Sequence, residues 1–547
     1  MTDKRITILD TTLRDGAQGE EISFSVNDKL RIVELLDAFG LDFIEAGNPG
    51  SNPKDLEFFE RVAAREPNAM HAPNAPDTPH APGTPHAQLA AFGATRCCST
   101  MVENDANVQS LLAAQTPVVV IVGKSSLLHV TEILKTTSEE NLQMILDTVS
   151  YFKERGKTVI FDAEHFFDAY YASDEDAGYA LKTLTVACEA GADIVALCDT
   201  NGGMLPYQVY DATTEVVALL PHEVPVGIHA HNDSGCAVAN SIMAVEAGAR
   251  HVQGTFIGFG ERCGNADLSA IIPALTLKMG RICGGDLSRL TQTATTIAEL
   301  ANVNLPNNKP YVGTSAFSHK AGMHADGVLK NSMSFEHIEP AQVGNKRHIL
   351  VSEVAGRGAV LERVRSFAPD LTKDAPELKA ILERLKALEH RGYQFEAADA
   401  SFELMAKRVL GIYSEHFKVT FYKTMGEFPP TSDGLPSTAT IEIEVDGSTE
   451  IAAAKGLGPV HALDNALRKA LVVFYPQLNS MQLVDYKVRV LGQTEATAAA
   501  VRVLIESSDA QSNWTTIGVS EDILEASFIA LVDSLEYKLA KDEKRDG

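Results

Sequence analysis

His229-Ala230-His231-Asn232-Asp233 closes an apolar run, and residues two apart on a strand face the same way, so His229 and His231 can reach one ion. Two imidazoles joined by a carboxylate suit Zn, Mn, Fe or Co, whereas Mg is less favoured by nitrogen ligands. A suitable carboxylate stands near the start of the chain, in Leu9-Asp10-Thr11-Thr12-Leu13-Arg14-Asp15-Gly16-Ala17-Gln18. There Asp15 can ligate a divalent cation while Arg14 holds an oxyanion beside it. In Gly258-Phe259-Gly260-Glu261-Arg262-Cys263-Gly264-Asn265, the amide oxygen of Asn265 offers a fourth ligand and leaves positions open for a substrate. Taken alone, Arg14-Asp15 is an ion pair capping a helix, and an isolated His-x-His is incidental. The metal reading requires a fold that brings these stretches together.

The element pattern predicts such a fold. Strand-like runs at 6–10, 43–46, 89–92, 118–122, 158–162, 194–197, 226–229 and 251–255 alternate with helical segments such as 28–39 and 237–247. Eight β-α units in this length fit a (β/α)8 TIM barrel, whose functional residues collect at the C-terminal rim. Asp15 follows the first strand, Glu45 ends the second, Glu164-His165 the fifth, Asp199 to Gly203 the sixth, His229 and His231 the seventh, and Asn265 follows the eighth. So many polar residues at one rim favour the metal site over the ion pair. A Pro- and His-rich stretch at 66–86 breaks the rhythm and reads as a surface excursion.

Three domains are expected: the barrel at 1–284, a mainly helical subdomain at 285–425, and an α+β regulatory and dimerisation domain at 435–547. The last contains two tandem strand-strand-helix units. Strands at 438–445 and 451–455 lead through Gly456 into a helix, and strands at 498–506 and 514–519 lead past Gly518 into another, with Ser520 as its N-cap. The helical subdomain carries Ser318-His319-Lys320-Ala321-Gly322-Met323-His324-Ala325-Asp326-Gly327, whose Gly-flanked histidines suit a loop.

Composition narrows the function class. With 547 residues the chain exceeds one compact domain, and 45% hydrophobic with 22% charged content is ordinary for a globular protein. A net charge of −26 argues against nucleic acid or an anionic membrane surface as the main partner, while a local cationic pocket still admits an anionic small substrate. No apolar run approaches the roughly 20 residues that span a bilayer, and no signal-peptide pattern precedes the first strand. Cys97, Cys98, Cys188, Cys198, Cys236, Cys263 and Cys283 form no CxxC pair and read as reduced, mostly buried thiols of a cytoplasmic protein.

Together these stretches resemble the DRE-TIM family of metal-dependent Claisen-condensing synthases and lyases, which includes 2-isopropylmalate, homocitrate and citramalate synthases. The resemblance rests on residues 9–18, 229–233, 258–265 and 318–327 and on the duplicated C-terminal module, which looks like the allosteric, dimer-forming domain of the synthases. Segments 48–55, 161–168, 197–203 and 389–396 are similar to the citramalate-forming class. The resemblance implies a divalent metal (Mn, Mg, Zn or Co) on Asp15, His229, His231 and Asn265, with pyruvate as the acceptor and acetyl-CoA as co-substrate. It implies that Thr200 binds the substrate carboxylate, that His324 with Glu164 removes a proton from acetyl-CoA, and that Arg14 meets the developing alkoxide. Gln18 and Glu45 would orient Arg14 and the substrates. A homodimer and inhibition by isoleucine through residues after about 435 are further implications. Phe335 stands where relatives often carry Tyr, and Asn48 and Ser126 where an aromatic is common. The alternatives are a 2-isopropylmalate synthase acting on 2-oxoisovalerate, a retro-aldol lyase of an acyl-CoA, and a non-catalytic amino-acid sensor.

Overall fold

The computed structural model describes residues 4–65, 87–320, 322–349, 357–427, 434–491, 499–509 and 512–546. The Pro- and His-rich stretch at 66–86 lies outside the described residues. The chain forms two compact units, Met1–Phe317 with Ile338–Lys346, and Ser318–His337 with Arg347–Gly547.

The first unit is a closed parallel barrel. Its strands are β1 (Arg5–Asp10), β2 (Phe43–Gly47), β3 (Gln88–Ala94), β4 (Val118–Lys124), β5 (Thr158–Glu164), β6 (Ile194–Asp199), β7 (Val226–Ala230) and β8 (His251–Gly254). Each pairs with the next, and β8 returns to β1, with Ile8 opposite Val252. Strands covered on both faces read as continuous apolar runs, as β4 and β7 do. Inside the barrel Leu9, Ala90, Val118, Val120, Ile160 and Ile194 pack against Phe43 and Phe92. Outside, the helix Val26–Phe39 shows how the shell is fixed. Ser25 and Asp28 form a capping box, Gly40 ends the helix at φ 101°, and Leu30, Val33, Leu36 and Phe39 face the sheet. The Phe39 ring meets Phe256 edge-on at 5.2 Å, joining this first helix to the exit of β8.

The second unit carries the duplication, with one strand more per repeat than the sequence pattern predicts. Lys418–Gly426, Ser437–Val445 and Ser448–Gly456 form one antiparallel sheet followed by the helix Pro459–Leu471. Gln482–Val490, Val501–Ser508 and Asn513–Ser520 form the other, followed by the helix Ile523–Asp546. Both repeats press their helix onto the sheet at a glycine. A Cβ at Gly456 would run into Ala462 N, and one at Gly518 into the Ala526 carbonyl. The last helix is capped by Asp522, which accepts from Leu524 N at 2.8 Å, rather than by Ser520. The chain before these sheets carries two helices, Pro376–His390 and Asp399–Leu410, separated where Gly392 turns left-handed at φ 100°.

Two further expectations are corrected. Every cysteine is free, but of the seven only Cys198 is buried, while Cys97, Cys98 and Cys263 are exposed. The segment around His324 is a helix, Gly322–Lys330, and not a loop, with an ion pair between Asp326 and Lys330 one turn apart. Among the described residues no helix is long and apolar enough to cross a membrane.

Candidate active site

The turn leaving β1 is pinned before any substrate arrives. Arg14, Asp15 and Gly16 all donate their backbone N–H to Thr11 O, at 3.1, 2.9 and 3.0 Å. The buried Asp10 carboxylate accepts from Thr12 N and Thr12 Oγ1, and that hydroxyl accepts from Phe256 N at 2.8 Å. The turn is thereby tied to the chain leaving β8, and Asp15 is aimed across the barrel mouth toward β7.

There it meets the two histidines. Asp15 Oδ2 lies 3.0 Å from His229 Nε2 and 3.8 Å from His231 Nε2. The ligand atoms of all three residues fall within 4.8 Å of one another, and all three residues are buried. Burial opposes ionisation of Asp15, but Arg14, His229 and His231 overcome it and hold the carboxyl far below its ordinary range. Burial and the neighbouring His229 press His231 down to about 4, leaving it neutral at pH 7.

The donor set fits a divalent cation. Gln253 donates its amide N–H to Asp162 Oδ1 at 2.7 Å, which turns its Oε1 toward His229 Nδ1 at 2.8 Å. In neutral His229 the proton therefore sits on Nδ1, and the Nε2 lone pair faces an Asp15 oxygen that is also an acceptor. Only a proton or a cation reconciles the two. Asn265 is bridged to His231 in an antiparallel pair, is 2% exposed, and has neither amide Oδ1 nor Nδ2 in a hydrogen bond. A buried amide with no acceptor or donor is costly, by about 1–3 kcal/mol, and ligation by Oδ1 removes part of that cost.

Arg14 is held on two sides. Its Nε donates to Glu45 Oε2 at 2.6 Å, and its guanidinium lies over the Phe92 ring at 3.8 Å. Glu45 is fully buried; burial raises its pKa and Arg14 opposes that rise. Burial also works against the Arg14 charge, but Asp15 and Glu45 outweigh it, so the guanidinium stays protonated.

Over this cluster opens a cavity of 620 Å³, into which Arg14, Asp15, Gln18, Glu164, Thr200, His229 and His231 project. Arg96, Lys124 and Arg262 add positive charge to its wall, and Phe92, Val122, Leu134 and Met144 an apolar side. Asp162 and Glu261 also line it, so the wall carries both signs of charge. A second cavity, of 610 Å³, lies at the opposite, N-terminal ends of the strands beside Val226 and Arg250, away from these groups. Thr200 Oγ1 accepts from His165 N at 2.9 Å, which leaves its own hydrogen free to donate into the cavity. Glu164 is ion-paired with Lys124. Asp199 turns back to accept from Gly203 N and Met204 N, a structural role.

Of the residues named from sequence, Arg14, Asp15, Gln18, Glu45, Glu164, Thr200, His229, His231 and Asn265 all belong to this rim of the first unit. His324 belongs to the second unit, where its ring stacks on Phe335 with centroids 4.2 Å apart. Sequence reasoning missed Phe92 and Gln253, which look like ordinary strand residues, and Lys124 at the end of β4. It gave Arg262 no role, yet Arg262 grips Asp233 through Nε and Nη2, at 2.8 and 3.0 Å, and donates to Thr200 O at 3.0 Å.

The HMGL-like family model matches residues 5–297, the homocitrate synthase post-HMGL domain-like model residues 311–393, and the LeuA allosteric (dimerisation) domain residues 396–539. The chain is 50% identical to an (R)-citramalate synthase of Aquifex aeolicus, over 99% of both chains. It is 46% identical to one of Geobacter sulfurreducens, again over 99% of both. Identity falls to 33% with a probable 2-isopropylmalate synthase of Methanopyrus kandleri, over 96% of this chain and 97% of that one.

Proposed function

The chain belongs to the HMGL-like family and, within it, to the (R)-citramalate synthases, and on that premise we propose that it condenses acetyl-CoA with pyruvate and water to citramalate and CoA, for isoleucine synthesis in the cytoplasm. The observation that carries the chemistry is the convergence of Asp15, His229 and His231 beside a fixed arginine. A divalent metal (Mn, Mg, Zn or Co) held by Asp15, His229, His231 and Asn265 would supply Lewis-acid polarisation of a 2-keto acid.

The remaining work falls to the chain's own groups. Thr200 donates its hydroxyl hydrogen to the keto acid's carboxylate. His324, with Glu164, takes a proton from the methyl group of acetyl-CoA, as the family resemblance implies. The carbon nucleophile so formed attacks the keto carbon, and Arg14 donates to the alkoxide that develops there. Glu45 and Phe92 keep the guanidinium in place for that step, Gln18 helps to orient the substrates, and water then cleaves the thioester. The 2-isopropylmalate reading is weaker, because synthases of that name are the more distant relatives.

Release of free thiol from acetyl-CoA in the presence of a divalent metal tests the reading. Pyruvate is expected to support release, with 2-oxoisovalerate and 2-oxoglutarate far weaker; release with 2-oxoisovalerate alone overturns it.

We further propose that the LeuA-type domain pairs two chains and binds isoleucine as an inhibitor. Isoleucine is expected to inhibit the full chain and to lose its effect on a chain truncated near 435. Equal sensitivity after truncation sinks the proposal.

A further inference from the structure

Glu164 and Thr200 both project into the cavity, and the residue that joins them is one the reaction above does not use. His165 follows Glu164 at the end of β5 and has φ 60° and ψ 27°, a left-handed conformation uncommon outside glycine and adopted more readily by Asn, Asp and His than by other side chains. That turn sends the Glu164 side chain inward and the His165 ring away from the cavity lining.

The ring is clamped by two contacts. It stacks on His129 with centroids 3.6 Å apart and planes 13° from parallel. Its Nδ1 lies 3.0 Å from Asp168 Oδ2, and the same oxygen accepts from Asn201 Nδ2 at 3.0 Å. Burial, with His165 and Lys124 nearby, holds His129 below the ordinary imidazole range, so the stacking partner is a neutral ring at pH 7. Its buried Nδ1 forms no hydrogen bond, so the stack is what the ring contributes. Ser125 N, just before the His129 segment, donates to Glu164 O at 3.0 Å and ties the same two segments through the backbone. What all this restraint delivers is one group: His165 N–H, donated to Thr200 Oγ1 at 2.9 Å.

We propose that His165 is a positioning residue for keto-acid binding, its clamped left-handed backbone holding the Thr200 hydroxyl so that its hydrogen points at the substrate carboxylate. The proposal rests on the role given above to Thr200. It assigns a use to a left-handed histidine and to the His129 stack, neither of which touches the reacting atoms. With the His165 N–H bound to the Thr200 oxygen, the hydroxyl hydrogen is turned away from His165. If the turn relaxes, the hydroxyl rotates freely and the carboxylate loses its preorganised donor.

His165→Ala keeps the N–H but removes the clamp. It is expected to raise the KM for pyruvate about tenfold, as befits weakening one hydrogen bond to a charged group, with kcat and the KM for acetyl-CoA nearly unchanged. His165→Asn, which tolerates the left-handed region, is expected to recover most of the loss. His129→Leu, which leaves His165 itself intact, is expected to shift the same constant in the same direction.

The decisive measurement is the cycle with Thr200→Val: in that background His165→Ala should cost nothing further. Calorimetric titration of pyruvate into the metal-loaded protein without acetyl-CoA should move by the same factor, so the result does not depend on turnover. Multiplicative effects in the cycle, or equal loss in kcat and in both KM values, overturn the proposal. A wild-type chain that binds only another keto acid overturns the pyruvate reading instead, and the same cycle is then read with that acid.

Discussion

Asp15→Asn is expected to abolish both metal retention and turnover. Asparagine keeps the size and one oxygen of aspartate but loses the negative charge around which Arg14, His229 and His231 are gathered. Without that carboxylate the ligand set has lost its one charged member, and Arg14 keeps only Glu45 as a counter-charge. Metal content after dialysis, measured by elemental analysis, should fall from about one ion per chain to none, since a ligand set of this kind depends on its charged member. Loss of a Lewis acid worth several kcal/mol corresponds to a fall in kcat/KM of about 1,000-fold or more. The fold should survive, because the turn is held by backbone bonds to Thr11 and by the Asp10–Thr12 pair rather than by the Asp15 carboxylate. A folded Asp15→Asn variant with wild-type metal content and turnover would remove the metal centre from the mechanism.

How much of this was legible in the chain depends on which force placed each residue. The barrel was readable because parallel strands buried on both faces are apolar along their whole length, and eight of them recur at regular spacing. The rim was readable because polar residues at the ends of such strands have no packing reason to be there. Phe92 and Gln253 were not, for the opposite reason. A phenylalanine in an apolar strand is indistinguishable from core until Arg14 is found lying on it, and Gln253 acts through His229 from across the barrel. The first strand of each three-stranded sheet was hidden by a β-bulge. The register slips between Val419 and Phe421, and again between Leu483 and Asp485, so the alternation that marks a strand is interrupted in each. Exposed Phe421, Met425 and Val484 on those strands further blur which face is buried. The helix around His324 was hidden by its flanking glycines, which usually signal a loop. Contacts between residues distant in sequence are what pattern reading lacks, and Phe92 and Gln253 each needed one.

Arg14→Lys separates charge from geometry at the step where the alkoxide forms. The substitution keeps a positive charge beside Asp15, so metal content should be unchanged. What it removes is the fork. Arg14 spends Nε on Glu45 at 2.6 Å and lays its plane on Phe92 at 3.8 Å, and its terminal nitrogens remain for Asp15 and the cavity. A lysine ammonium is a single point and must choose. The fully buried Glu45, deprived of its partner, would be an uncompensated carboxylate, so the ammonium is drawn to Glu45 and away from the reacting oxygen. Losing one preorganised donor at a developing oxyanion costs about 100-fold to 1,000-fold in kcat, and that loss is expected here with the KM for pyruvate changed only slightly. An Arg14→Lys variant within about fivefold of wild type, far short of that loss, would mean that positive charge alone suffices at this position. The clamp of Glu45 and Phe92 would then serve the fold and not the reaction.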